Sequence, residues 1–160
     1  MNKIILTLIV TLFLTNNTYA AGSSSSSSSS SNYDKAVKLI KSAKKYEQKD
    51  KADKAKKLYS QAFKKFEKAY SKDKKNPDIL NYLGFTSRKS GNFTEAEDYY
   101  LKGLSINPKH KGINEYLGEL YVQTNRIDKA NERLEVLKTC NCKEYQELEL
   151  IIKTRGTKIY

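Results

Sequence analysis

The chain has 160 residues, a formal net charge of +12 and one histidine, which suits a single domain with a modest core. That histidine, His110, has no cysteine or serine motif beside it, and the sequence contains no glycine-rich phosphate loop. We therefore expect a solvated turn histidine and a non-enzymatic protein, without catalytic residues, a metal site or a cofactor.

The segment 1–20 predicts a signal peptide. Lys3 precedes an apolar run over positions 4–14, and small residues then lead to a candidate cleavage site after Ala20. The run is shorter than the ~20 residues that a transmembrane helix needs. A buried N-terminal helix is the alternative. We expect an exported protein, with the bacterial periplasm as its compartment.

Residues 21–31 include nine consecutive serines. We predict a disordered linker there, because such a run has no apolar surface to bury. The domain then covers residues 32–160, and its charge is uneven. Residues 33–75 hold 16 lysines and six acidic residues, whereas residues 76–160 hold 13 lysines and arginines and 12 acidic residues.

A basic amphipathic helix is predicted over residues 52–72. Its apolar residues lie within an arc of roughly 140°, and its lysines lie opposite. Two interpretations are open: the lysines are the solvated face of an N-terminal capping unit, or the helix binds an anionic membrane surface or a polyanion. Nucleic acid is not expected as a partner, because arginine is scarce and the aromatic residues lie on the apolar arc.

A repeat follows. The letters NYLG at residues 81–84 return as EYLG at residues 115–118, and residues 77–110 align with 111–144 without gaps. Each block has apolar residues at helical spacing on both sides of a central break, which predicts two helices. We predict two clear repeats, a degenerate unit before them and a closing helix from about residue 143 to 153.

Asparagines mark the predicted helix starts. Three of them stand three residues before an acidic residue, which is typical of an N-cap, and two precede a proline. The five are Asn92, Asn125, Asn141, Asn76 and Asn107. Pro108 has a second interpretation, as the residue that closes the turn.

These blocks resemble the tetratricopeptide repeat, a helix-turn-helix unit with a length of about 34 residues. The matching residues are Leu83, Gly84, Gly91, Phe93, Ala96, Tyr100 and Pro108. The resemblance implies an all-α fold, a solenoid in which each hairpin covers the apolar face of its neighbour. It covers residues 77–110 closely and residues 111–142 more loosely.

The resemblance also implies a concave face, lined by the first helix of each unit, that holds a peptide or a partner helix. The matching positions are Asn81, Phe85, Arg88, Lys89, Glu115, Glu119, Val122 and Gln123. Their spacing of three and four places them on one face of each helix. A merely solvated face is the alternative. Our leading hypothesis is an exported scaffold or adaptor for an unknown protein or peptide.

Cys140 and Cys142 lie between the last repeat helix and the closing helix. In an exported protein such a pair favours a short disulfide. A labile redox pair, a soft-metal thiolate site and free thiols are the alternatives. With Glu144 and Tyr145, the pair is similar to the ending of small exported bacterial tetratricopeptide proteins.

Overall fold

The structure is a computed structural model that describes residues 26–156, which contain seven α-helices and no β-strand. The helices are α1 Ser26–Glu47, α2 Ala52–Tyr70, α3 Pro77–Lys89, α4 Phe93–Ile106, α5 Lys111–Gln123, α6 Ile127–Leu137 and α7 Lys143–Lys153. The predicted all-α fold is confirmed. The signal-peptide prediction and the first part of the linker prediction lie outside the described residues.

The helices stack in chain order. α1 packs with α2, α3 with α4 and α5 with α6, so the described chain forms three helical hairpins. Contacts of α2 with α3 and of α4 with α5 join neighbouring hairpins, and α7 closes the stack against α5 and α6. This is the predicted solenoid of helix-turn-helix units, in which each hairpin covers the apolar face of the next.

The degenerate unit is a complete hairpin. Its first helix buries Ala36, Ile40 and Ala43 against the core, at a spacing of four and three. The described part of the helix starts at Ser26, inside the serine run and ahead of the predicted domain boundary at residue 32. Once the packed part of a helix has formed, each added residue contributes one further hydrogen bond, so the helix can continue into the serines.

The core is continuous along the stack. One buried cluster comes from α1, α2 and α3, a second comes from α4 to α7, and Tyr116 on α5 packs against both. At the N-terminal end, the rings of Phe66 and Tyr82 stack with centroids 4.9 Å apart, and the edge of Tyr33 meets Phe66 at 5.5 Å. Aromatic contact therefore ties α1, α2 and α3 together.

Two glycines set the distance between helices. A Cβ placed on Gly84 would lie 2.6 Å from Cδ1 of Tyr100, and one on Gly118 would lie 2.6 Å from Leu148 Cδ1. Tyr100 and Leu148 are both fully buried. The repeated Leu-Gly pair thus leaves room for a large side chain of another helix.

Of the predicted caps, only Asn76 makes the expected bonds. Its side chain accepts hydrogen bonds from the backbone N–H groups of Asp78 and Ile79, and Pro77 occupies the first turn of α3. Asn92 precedes α4, but its side chain makes no capping hydrogen bond.

The other predicted caps are wrong. Asn125 and Asn141 have φ values of 57° and 45°, so they form left-handed turns before the helices, a conformation that asparagine tolerates well. Asn107 ends α4, and Pro108 lies in the turn that follows.

His110 takes the cap position of α5 and is not a solvated turn residue. Its Nδ1 accepts a hydrogen bond from the N–H of Ile113 at 3.1 Å, and its Nε2 lies 3.0 Å from Oδ1 of Asp78 on α3. Because Nδ1 accepts, the ring proton sits on Nε2 and is donated to the carboxylate. One side chain thus caps a helix and links two repeats.

The substitution His110→Ala should lower the free energy of unfolding by about 1–2 kcal/mol, because it removes the cap and the bond to Asp78. His110→Asn retains a cap acceptor and should lose less. Denaturant unfolding followed by circular dichroism measures both values. Equal losses would show that the cap contributes nothing.

Gly84→Ala should destabilise the fold by about 1–3 kcal/mol through overlap with Tyr100. In an open helix the same change would instead gain about 1 kcal/mol. A double-mutant cycle with Tyr100→Leu provides the control, since the smaller side chain removes the overlap. If the effects of the two changes on the free energy of unfolding are additive, the contact of Gly84 with Tyr100 does not limit how closely the helices approach.

Candidate functional site: the concave face

A concavity of about 550 Å³ opens on the face formed by α1, α3, α5 and α7. Its lining includes five of the eight predicted groove residues: Phe85, Arg88, Lys89, Glu115 and Glu119. They come from equivalent faces of two repeats. The fold therefore brings together residues that lie about one repeat apart in the sequence.

Three predicted groove residues lie outside this lining. Asn81 is buried in the contact between repeats, where a Cβ on Gly112 would lie 2.9 Å from its Nδ2. Val122 is also buried. Gln123 lies beside the concavity and accepts a hydrogen bond from Nη1 of Arg88 at 3.1 Å. Asn81 and Val122 thus pack inside the stack, whereas Gln123 stands at the edge of the concavity.

The floor of the concavity is a buried ion pair. Nη2 of Arg88 lies 2.5 Å from Oε2 of Glu119, and the two side chains are 4% and 8% exposed. Burial, the largest single effect, lowers the pKa of Arg88, but the carboxylate of Glu119 together with Tyr100 and Tyr116 outweighs it, so the pKa is raised and the guanidinium stays charged. The pair fixes α3 against α5.

Aromatic rings surround the same guanidinium. The Cζ of Arg88 lies 5.7 Å from the ring centroid of Phe85 and 5.8 Å from that of Tyr116. The two rings are themselves 5.0 Å apart. Cation–π attraction and ring contact therefore add to the ion pair.

One wall comes from α1, which the repeat pattern does not identify. Glu47 binds Lys89 of α3 at 2.8 Å and accepts a hydrogen bond from the hydroxyl of Tyr59 at 2.8 Å. Burial and this bond raise the pKa of Tyr59, so its hydroxyl remains a donor. Lys44 completes the wall, with Nζ 5.5 Å from the ring centroid of Phe85.

The opposite wall comes from α7. Lys143 and Glu147, one turn apart, form an ion pair, and both line the concavity with Tyr116. Lys143 and Glu147 lie beyond residue 142, where the resemblance to the repeat ends, so the repeat period carries no signal for them. For α1, the sequence feature that indicates a helix is the spacing of four and three between Ala36, Ile40 and Ala43.

Outside the concave face, a disulfide joins Cys140 and Cys142 across the turn between α6 and α7. Within residues 26–156 there is no cluster of three or more histidine, cysteine or acidic side chains suited to a metal ion. No helix in that range is both long and apolar enough to span a bilayer.

Comparison with known proteins identifies the repeat. The tetratricopeptide repeat family matches residues 77–110. The fold is similar to the type III secretion chaperone SycD of Yersinia enterocolitica in complex with a peptide of the translocator YopD: identity is 20%, the TM-score is 0.53, and the match covers 77% of this chain and 90% of that one.

Two further structures are similar. An alternative dimer of SycD has 20% identity and a TM-score of 0.53, over 77% of this chain and 89% of that one. The first tetratricopeptide domain of human RPAP3 has 18% identity and a TM-score of 0.48, over 78% and 98%. A search of curated protein sequences gave no significant match.

Arg88→Met should lower the free energy of unfolding by about 3–5 kcal/mol, because it removes the guanidinium from a buried carboxylate. The double change Arg88→Met with Glu119→Leu should cost clearly less than the sum of the single changes. Denaturant unfolding gives all three values. The exposed pair of Lys138 and Glu135 is the control, where Lys138→Met should cost less than about 1 kcal/mol.

Proposed function

Residues 77–110 are a tetratricopeptide repeat in a stack of helical hairpins, and from this premise we propose that the protein is a non-enzymatic scaffold or adaptor. Its partner is a protein segment, an extended peptide or a helix, held in the concave face between α1, α3, α5 and α7. The observation that carries the proposal is the ordered floor of this face, where Arg88 joins two repeats beneath Phe85 and Tyr116.

Such a floor favours binding because its side chains are already ordered before a ligand arrives. Arg88 is held by Glu119 and Gln123, so a ligand does not have to order a flexible side chain to use the aromatic surface. In the SycD structure a peptide of the translocator YopD is present, which supports a peptide as the occupant of a fold of this kind.

The walls suit an occupant with polar groups of both signs. On one side stand Lys44 and the ion pair of Lys89 with Glu47, and on the other side stands the pair of Lys143 with Glu147. Charges at a rim change the rate and choice of partner more than the affinity itself. Contact with Tyr116, which is only partly buried, then supplies apolar area.

The location in the periplasm is part of the proposal. Its support is the sequence of the segment 1–20, with a short apolar run and a small-residue cleavage site. Processing at Ala20 would be visible as the N-terminal sequence of the protein purified from a periplasmic fraction.

Peptides selected from a random library on the full chain provide the binding test. The double variant Lys44→Glu with Lys89→Glu should weaken the selected peptides at least about tenfold, since it reverses one wall of the face. Fluorescence anisotropy with labelled peptides measures the dissociation constants.

The matched control is Lys38→Glu with Lys45→Glu, which makes the same charge change on exposed positions of α1 outside the lining. The selected peptides should bind this control as they bind the unchanged chain. Peptides that bind all three proteins equally would reject the concave face as the binding site.

A further inference from the structure

The N-terminal hairpin carries a narrow row of lysines on α2, here named the lysine stripe. Its members fall within an arc of about 100° on a helix that turns 100° per residue, and they extend for about 21 Å along the axis. The members are Lys54, Lys57, Lys64, Lys65 and Lys68. The last three, with Glu67, line a shallow concavity of about 770 Å³ that Leu39 of α1 borders.

The lysines of this hairpin greatly outnumber its acidic residues and form no salt bridges among residues 26–156. Within the described part of the chain, none of the 16 lysines of residues 33–75 forms a salt bridge, whereas Lys89, Lys138, Lys143 and Lys153 each pair with a glutamate. Their charges therefore add to one positive field over this end of the molecule.

The apolar side of α2 is already occupied. Tyr59, Ala62, Phe66 and Ala69 are at most 1% exposed, because they form the core with α1 and α3. The helix cannot insert an apolar face into a membrane without breaking that core. Any binding through the lysine stripe is consequently binding at a charged surface.

We propose that the lysine stripe binds the surface of a bilayer that contains anionic phospholipids. Each lysine near such a surface contributes about a fivefold gain in affinity at moderate ionic strength, so a row of five suffices for reversible binding. Residues 33–75 contain no arginine, the side chain best suited to paired contacts with nucleic-acid phosphates. The aromatic residues of α2 lie on the side opposite the lysine stripe, where Tyr59 and Phe66 are buried and Phe63 and Tyr70 pack partly buried against the core, so the stripe has no stacking platform for bases.

The proposal is independent of the peptide-binding proposal. The concave face is lined by α1, α3, α5 and α7, and the lysine stripe lies on α2. A failure of one binding test therefore leaves the other intact.

Co-sedimentation of the full chain with vesicles of equal parts phosphatidylcholine and phosphatidylglycerol tests the proposal. The triple change Lys57→Glu, Lys64→Glu and Lys68→Glu should weaken binding about 100-fold at low salt, and high salt should release the unchanged chain. The control Lys109→Glu, Lys111→Glu and Lys138→Glu makes the same change in net charge at exposed positions in the C-terminal half and should bind nearly normally.

Circular dichroism checks that each variant remains helical, and the milder set Lys57→Gln, Lys64→Gln and Lys68→Gln repeats the test if charge reversal unfolds the chain. Three results would overturn the proposal. They are an equal loss in stripe and control variants, equal binding to vesicles of phosphatidylcholine alone, and tighter binding to a single-stranded oligonucleotide than to anionic vesicles at the same salt.

Discussion

The ring of Tyr100 can cross α3 only because Gly84 has no side chain, and the geometry of the stack depends on this contact. A Cβ at position 84 would lie 2.6 Å from Cδ1 of the ring, so any larger residue would push α4 away from α3. Burial raises the pKa of the Tyr100 hydroxyl, and the adjacent guanidinium of Arg88 opposes that rise. The same ring therefore sets the helix spacing and lies close to the charge of Arg88, whose pairing with Glu119 fixes α5.

The helices from α2 onward could be predicted from the sequence, because the residues that repeat are the ones that pack between helices, whereas the repeat period did not identify α1. The Leu-Gly pair recurs one repeat later, where a large side chain of another helix must pass, as Tyr100 does at Gly84 and Leu148 does at Gly118. Helix starts were less predictable. Asparagine suits both an N-cap and a left-handed turn, and a single sequence does not show which of the two Asn125 adopts.

The candidate site was predictable only in part, because the sequence shows local spacing but not the contacts between helices. Spacing shows which residues share a face of one helix, but it does not show which face another helix covers. Arg88 and Glu119 were predicted as surface groups for a ligand, and the structure places them in a buried pair beneath that surface. Lys44 and Glu147 come from helices outside the recognised repeats, so the period gave no indication of them.

The molecule has two charged surfaces, and their charges act in different ways. At the floor of the concave face, Arg88 and Glu119 are paired at short distance and buried, so salt screens them little and they act through geometry. On α2 the lysines are exposed, apart from the half-buried Lys65, and have no salt-bridge partner within the described residues, so they act at long range and are sensitive to salt. Because alternate helices of the stack provide these two surfaces, a chain held at a bilayer by α2 would still present its concave face to a protein partner.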